Sequence, residues 1–295
     1  MTALLALLLL AMSILMGCSG GVATDVKNTA AAQTDLVPLA EELQPEPPVC
    51  QVETEIWEDT LLAEDGTELI HYIFQIPQMF ACRADGAPII QAEGEEEKTT
   101  LETADKFNHQ FSTWTDGEGL AELAQAAEED MTLQRESGFD WNGPYELELS
   151  TSIYRTEGMV SVSATYYRYT GGAHPNTYWM SWNYDLTSGT FFTADTLAAD
   201  GQLFQDAVQE EIIRQTGVST PEEALAAGYW EDYEDIAADW SSYAVSFDGE
   251  GMTVAFSPYE LACYAAGPQV FSLTYDQVEP YLSDHGRTVL ALESE

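Results

Sequence analysis

A histidine between a glycine pair and a proline is the residue of this chain best placed to do chemistry. His174 sits in Gly171-Gly172-Ala173-His174-Pro175. An imidazole titrates near neutral pH, so it can move a proton or hold a partner. Histidine catalysis needs neighbours, a nucleophile to deprotonate and a carboxylate to orient the ring, and the local sequence supplies neither. His71, His109 and His285 are scattered without metal-ligand spacing. There is no HExxH, P-loop, GxGxxG or calcium-loop pattern. Paired carboxylates can cleave sugars, but with 51 Asp and Glu residues the adjacency of two acids carries no signal. Glu260, the acid inside Pro258-Tyr259-Glu260-Leu261, is expected to be a buried, hydrogen-bonded structural residue. The expectation is a protein without catalytic residues, metal or cofactor. In it, His174 shapes a turn or touches a partner, and Tyr169, Gly171, Gly172, Tyr178, Trp179 and Tyr259 form the candidate binding surface with it.

The charge narrows the choice of partner. Nine Lys and Arg stand against 51 Asp and Glu, a net charge of -42. That field repels nucleic acid, whose phosphates need basic side chains, and attracts cations, whether metal ions or basic proteins.

Residues 1–17 carry no charge and are almost wholly apolar from Ala3 to Met16. Leu15-Met16-Gly17-Cys18 resembles the end of a lipoprotein signal peptide. That resemblance makes Cys18 the lipidated residue and places the protein on the extracytoplasmic face of a cell membrane, held by acyl chains alone. Residues 18–48 are small and polar, then acidic and proline-rich, and read as a disordered tether. Three cysteines remain, Cys50, Cys82 and Cys263. Cys50 and Cys82 flank two strand-like runs and are the natural disulfide pair, although three single pairings are open.

The folded part reads as α+β, in two domains, each an antiparallel sheet packed with one or two helices. The first, residues 49–140, opens with strands over 51–62 and 68–77 around an Asp65-Gly66 hairpin turn. A further strand is expected over 79–90, and the acidic run 93–97 is expected as a surface loop. Leu101, Ala104, Phe107, Phe111 and Trp114 then recur at helical spacing within 99–138, with a break at 116–119. The second domain, residues 141–285, begins with an alternating meander from Tyr145 to Phe192. A helix over 194–217, a short helix from Pro221, an acidic loop over 229–240 and three further strands complete it, leaving a tail at 286–295.

Two segments of that second domain carry a family resemblance. Tyr169-Thr170-Gly171-Gly172-Ala173-His174-Pro175-Asn176, followed by Asn183-Tyr184-Asp185-Leu186-Thr187-Ser188-Gly189, resembles the extracellular domain of RsiV-type anti-sigma factors. The same domain stands beside the catalytic domain of PdaC-type peptidoglycan deacetylases. The run from Phe256 to Gly267 is similar to that family's second signature, with Cys263 where a proline is expected. Residues 50–140 resemble the smaller α+β domain that precedes it in the same proteins. The resemblance implies binding, to lysozyme or another cationic protein or to a cell-envelope component. It implies neither sigma-factor control nor deacetylation, for which the chain has no matching segment. The alternative is a peptidoglycan-directed hydrolase or its sugar-binding accessory.

Overall fold

The computed structural model describes residues 46–115 and 117–292. Cys18, the expected leader and most of the tether lie outside them. The fold is built on two sheets. A six-stranded sheet contains β1 (Val49–Leu62), β2 (Glu68–Cys82), β3 (Tyr145–Arg155), β4 (Met159–Tyr169), β5 (Asn176–Asp185) and β6 (Thr190–Phe192), in that order. A three-stranded sheet contains β7 (Ala244–Phe247), β8 (Gly251–Phe256) and β9 (Gln269–Thr274). All pairs are antiparallel except β2 with β3. The α+β class therefore holds, with one parallel pair that local patterning does not announce.

That parallel pair also removes the boundary expected at 140/141. Ile70 to Phe74 of β2 pair in register with Tyr145 to Leu149 of β3, so residues 49–140 and the meander share one sheet. A parallel pair needs a long crossover, which here contains α1 (Glu95–Phe111) and α2 (Glu118–Glu136). The acidic run expected as a loop instead supplies the first turn of α1 with Glu95, Glu96 and Glu97. Acids are favoured there by the helix dipole, and Glu97 also binds Arg83 at 2.7 Å. Of the extra strand expected over 79–90, only 79–82 forms, as the continuation of β2 through Pro77, and 83–90 is a turn and loop. Proline is tolerated because β3 pairing ends at Phe74, so β2 is an edge strand beyond it.

Two cores follow from the alternation of the strands. Phe107 and Phe111 of α1 and Met131 of α2 pack onto Ile70, Phe74, Leu147, Leu149 and Val162. On the other face, Met159 joins the core formed by the second sheet and α3 (Gly201–Thr216). α4 (Pro221–Ala227) and α5 (Tyr233–Ala238) add Ala224, Tyr233 and Ala237 to it. α5 occupies part of the stretch expected as an acidic loop. α6 (Tyr275–Val278) and α7 (Asp284–Val289) close the chain. Gly286, Val289 and Leu290 are buried, so the first part of the expected tail packs into the core. Among the described residues no helix is long and apolar enough to cross a membrane.

The open edge of β7 is satisfied by side chains of the large sheet. Ser161 of β4 donates to Asn183 Oδ1 at 2.8 Å and accepts from Phe247 N–H at 2.8 Å. Asn183 Nδ2 donates to Val245 O at 2.8 Å, and Val245 N–H donates to Ser181 Oγ at 2.9 Å. Buried backbone groups must be paired, and here a polar patch on one sheet replaces a neighbouring strand.

Candidate functional site

The His174 turn joins β4 to β5. Tyr169 ends β4, its hydroxyl donates to Gly172 O at 3.1 Å, and Asn176 begins β5. Gly171 and Gly172 take φ of 87° and 96°, a region that favours glycine, while a side chain at either would meet nothing within 4 Å. Their requirement is thus conformational and not one of close approach. Between β8 and β9 a second loop brings Tyr259 and Tyr264 to the same place.

Both nitrogens of the His174 ring are engaged. Nδ1–H donates to Pro175 O at 2.9 Å, and Nε2 pairs with the Tyr259 hydroxyl at 3.1 Å. Tyr264 stacks on the imidazole with ring centroids 4.3 Å apart and planes 18° apart. Tyr259 and Tyr264 stack in turn at 5.6 Å. Tyr259 has φ of 74°, which a residue with a Cβ occupies at a cost of about 1–3 kcal/mol. Its carbonyl accepts from Trp230 Nε1 at 2.9 Å. The residue nevertheless stays 49% exposed.

Behind this aromatic ledge the two loops are tied together. Trp179 N–H donates to Ser257 Oγ at 3.0 Å, and Ser257 N–H donates to Glu260 Oε2 at 2.8 Å. Glu260 is hydrogen-bonded as expected but not buried, since the residue as a whole is exposed. Partial burial of its carboxyl raises the pKa, opposed by the hydrogen bonds from Ser257. In front, Glu146 and Glu148 of β3 stand directly across from Tyr169 and Tyr167 of β4. The charges of Glu146, Tyr169, Tyr264 and Glu148 help burial to raise the Tyr167 pKa, which places all four groups near it.

The surface expected from the sequence is therefore partly assembled. Tyr169, Gly171, Gly172, His174 and Tyr259 converge. Trp179 supports the ledge through its backbone. Tyr178 does not join, because it pairs with Tyr166 and stacks on that ring at 6.2 Å, on the helix-covered face. Tyr264, Tyr167, Glu146 and Glu148 were missed. Period-two alternation from Tyr169 would have found Tyr167. Tyr264 belongs to the second signature but follows no period.

Neither nitrogen of His174 contacts a serine, threonine or cysteine. Among the described residues no three His, Cys, Asp or Glu side chains are grouped to hold a metal ion. The expected Cys50–Cys82 bridge is not formed, and Cys50, Cys82 and Cys263 are free. The register sets Cys50 across from Ala81 and Cys82 across from Val49, which puts the two thiols on opposite faces of the hairpin. Burial pushes the Cys50 thiol up to about 11.

Comparison with known proteins gives these segments a context. The chain is 35% identical over 83 residues to Esterase Rv3036c of Mycobacterium tuberculosis, spanning 36% of that protein's length and 25% of this chain. Its fold is similar to that of a DUF3298 family member from Bacteroides fragilis, with a TM-score of 0.58, 16% identity, and coverage of 85% of this chain and 100% of that one. A DUF3298 family protein from Pseudomonas aeruginosa aligns with a TM-score of 0.45 and 14% identity, over 81% of this chain and 96% of that one. The model described as Deacetylase PdaC matches residues 67–177, and the model described as Protein of unknown function (DUF3298) matches residues 190–276. The first match runs across the expected boundary at 140/141. His174 falls in the first matched segment and Tyr259 and Tyr264 in the second, so the aromatic ledge is built from both matched segments.

Proposed function

We propose that this protein is a lipid-anchored extracytoplasmic binding protein that recognises a basic protein of the lysozyme type through the His174–Tyr259 ledge. The observation that carries the proposal is the strained, half-exposed Tyr259 ring held on His174 and Tyr264, with Glu146 and Glu148 in front. Flat aromatic side chains are the common energetic anchors of protein interfaces. The acidic surroundings speed and orient the approach of a cationic partner. Cys18 is the anchor in this reading, and the face exposed is that of the cell surface. Titration calorimetry with lysozyme at about 20 mM and about 150 mM salt tests it. Binding at both concentrations is expected. Binding confined to low salt reduces the interaction to charge attraction, and a cell-envelope glycan bound instead of the protein redirects the proposal.

The match to a protein named as an esterase favours a second reading, hydrolysis of an envelope ester or glycan. The structure groups a hydroxyl, a carboxylate and an imidazole away from the ledge. Ser188 Oγ donates to Asp185 Oδ2 at 2.9 Å, and His285 Nε2 lies 3.2 Å from that same oxygen. The carboxylate, not the imidazole, touches the hydroxyl, which is not the order of a serine–histidine–aspartate relay. Turnover of p-nitrophenyl butyrate that disappears in Ser188→Ala supports this reading. Equal turnover in the variant removes it.

A further inference from the structure

β1 forms one edge of the large sheet, and among the described residues no other strand pairs with its outer side. The register shows which backbone groups that side presents. On β2, Gln75 and Met79 turn their backbone away from β1: Gln75 O accepts from Thr151 Oγ at 3.2 Å, and Met79 N–H donates to Asn108 Oδ1 at 2.7 Å. In an antiparallel ladder, residues directly opposite each other either exchange both hydrogen bonds or both face outward, in alternation. Ile56 and Val52 stand across from Gln75 and Met79, so their N–H and C=O groups face outward. Thr54 and Glu58 follow by period two. Thr60 fits the same phase, since its N–H donates to Asp59 Oδ1 at 2.8 Å and not to β2. β1 is 14 residues long, and an open edge of that length is a template for an added strand.

The side chains select what can be added. Every residue from Glu53 to Asp59 is exposed, Ile56 at 64%. Glu53, Glu55, Trp57 and Asp59 share one face by period two. Among the described residues no Lys or Arg pairs with any of these three acids. A second copy of the chain is disfavoured. Antiparallel pairing of two copies centred on Ile56 sets Glu53 across from Asp59 on both sides of the centre, and like charges directly opposite destabilise a sheet. The stretch preceding β1 has the same mismatch, with Asp35, Glu41 and Glu42 and no Lys or Arg after Lys27. A strand with Lys or Arg at alternate positions is the complement. It sets cations across from Glu53, Glu55 and Asp59 and another against the Trp57 ring. We infer that the outer edge of β1 takes up an extended basic segment of another protein as an added strand. The backbone bonds supply the affinity and the alternate cations the selectivity. This edge shares no residue with the His174 ledge and stands independently of the partner assigned to that surface.

The test is fluorescence anisotropy of a dye-labelled decapeptide of alternating lysine and threonine, titrated with the full-length protein at about 150 mM salt. Saturable binding with a Kd below about 100 μM is expected. A decapeptide of alternating lysine and proline carries the same charge but cannot extend a sheet. It should bind at least about tenfold more weakly, since only the charge attraction is left. Ile56→Pro removes an outward N–H and leaves the bonds between β1 and β2 in place. It should weaken binding of the lysine–threonine peptide by a similar factor, whereas Ile56→Thr keeps the N–H and should bind as the wild type does. Thermal unfolding of Ile56→Pro close to that of the wild type separates lost binding from lost structure, and if that variant does not fold, the comparison of the two peptides decides. Glu55→Gln combined with Asp59→Asn should weaken binding about fivefold, the loss of two cross-strand charge pairs. His174→Ala and Tyr259→Gly should leave it unchanged. No saturable binding of the lysine–threonine peptide, or equal affinity for the two peptides, overturns the inference. Equal affinity of the wild type and a folded Ile56→Pro overturns it as well.

Discussion

The Nε2 atom of His174 lies 3.1 Å from the hydroxyl of Tyr259, a contact across 85 residues of chain. It joins a turn of the large sheet to a loop of the small one. The tyrosine holds a left-handed backbone to make it. Nothing in the apolar core requires that geometry, since the ring is half-exposed. The contact is best understood as the construction of a surface.

Backbone strain at Tyr259 gives the first prediction. Glycine accepts a φ of 74° without penalty, and alanine does not. Tyr259→Gly should therefore be more stable than Tyr259→Ala by about 1 kcal/mol in urea denaturation. Both should lose affinity for the basic partner. An alanine variant as stable as the glycine variant would show that the loop relaxes and holds no strain.

The link between the sheets gives the second. Ser161→Ala would leave both Asn183 Oδ1 and Phe247 N–H unpaired in a buried place. A destabilisation of about 2–4 kcal/mol is expected. A loss under about 0.5 kcal/mol, the size of an ordinary surface substitution, would mean that β7 is not held by this patch.

Acid sensitivity gives the third. The Arg214 guanidinium holds the Glu211 carboxyl down to about 2, with Gln215 and Gln277 assisting against the effect of burial. The folded pKa lies below the ordinary value of 4.5. The stabilisation is thus complete above pH 4.5 and is lost as pH falls through that window towards 2. Glu260, with its raised pKa, acts in the opposite sense and relieves a small cost as it protonates. Thermal unfolding of Glu211→Gln should depend less steeply on pH than the wild type between 4.5 and 2. Parallel curves would contradict the assignment.

Thiol chemistry gives the fourth. Cys50 and Cys82 are buried and Cys263 is partly exposed. In a soluble form starting at Pro45, a thiol reagent should modify Cys263 first and all three cysteines after denaturation. One reactive thiol after denaturation without reductant would mean that Cys50 and Cys82 are bridged.

The parts legible in the sequence are those set by neighbours in the chain. Alternation from Tyr145 to Phe192 marked the meander, and the apolar spacing of Leu101, Ala104, Phe107 and Phe111 marked α1. Asp65-Gly66 marked the hairpin of β1 and β2. The parallel pairing of β2 with β3 was hidden because its partners are about 75 residues apart and nothing local encodes them. Pro77 read as the end of a strand because the open edge that tolerates it is a property of the assembled sheet. Tyr178 was misassigned although the evidence was local, since adjacent strand residues point to opposite faces and it could not share one with Trp179.

The central claim is that the His174–Tyr259 ledge is the surface that holds a basic protein. Calorimetry of the wild type and of Tyr259→Gly with lysozyme at about 150 mM salt, where long-range attraction is screened, tests it most directly. The account predicts measurable binding by the wild type and an affinity at least about tenfold lower in a variant that remains folded, the loss expected of an anchor residue. Equal affinity of the two proteins, or no binding by the wild type even at about 20 mM salt, would contradict it.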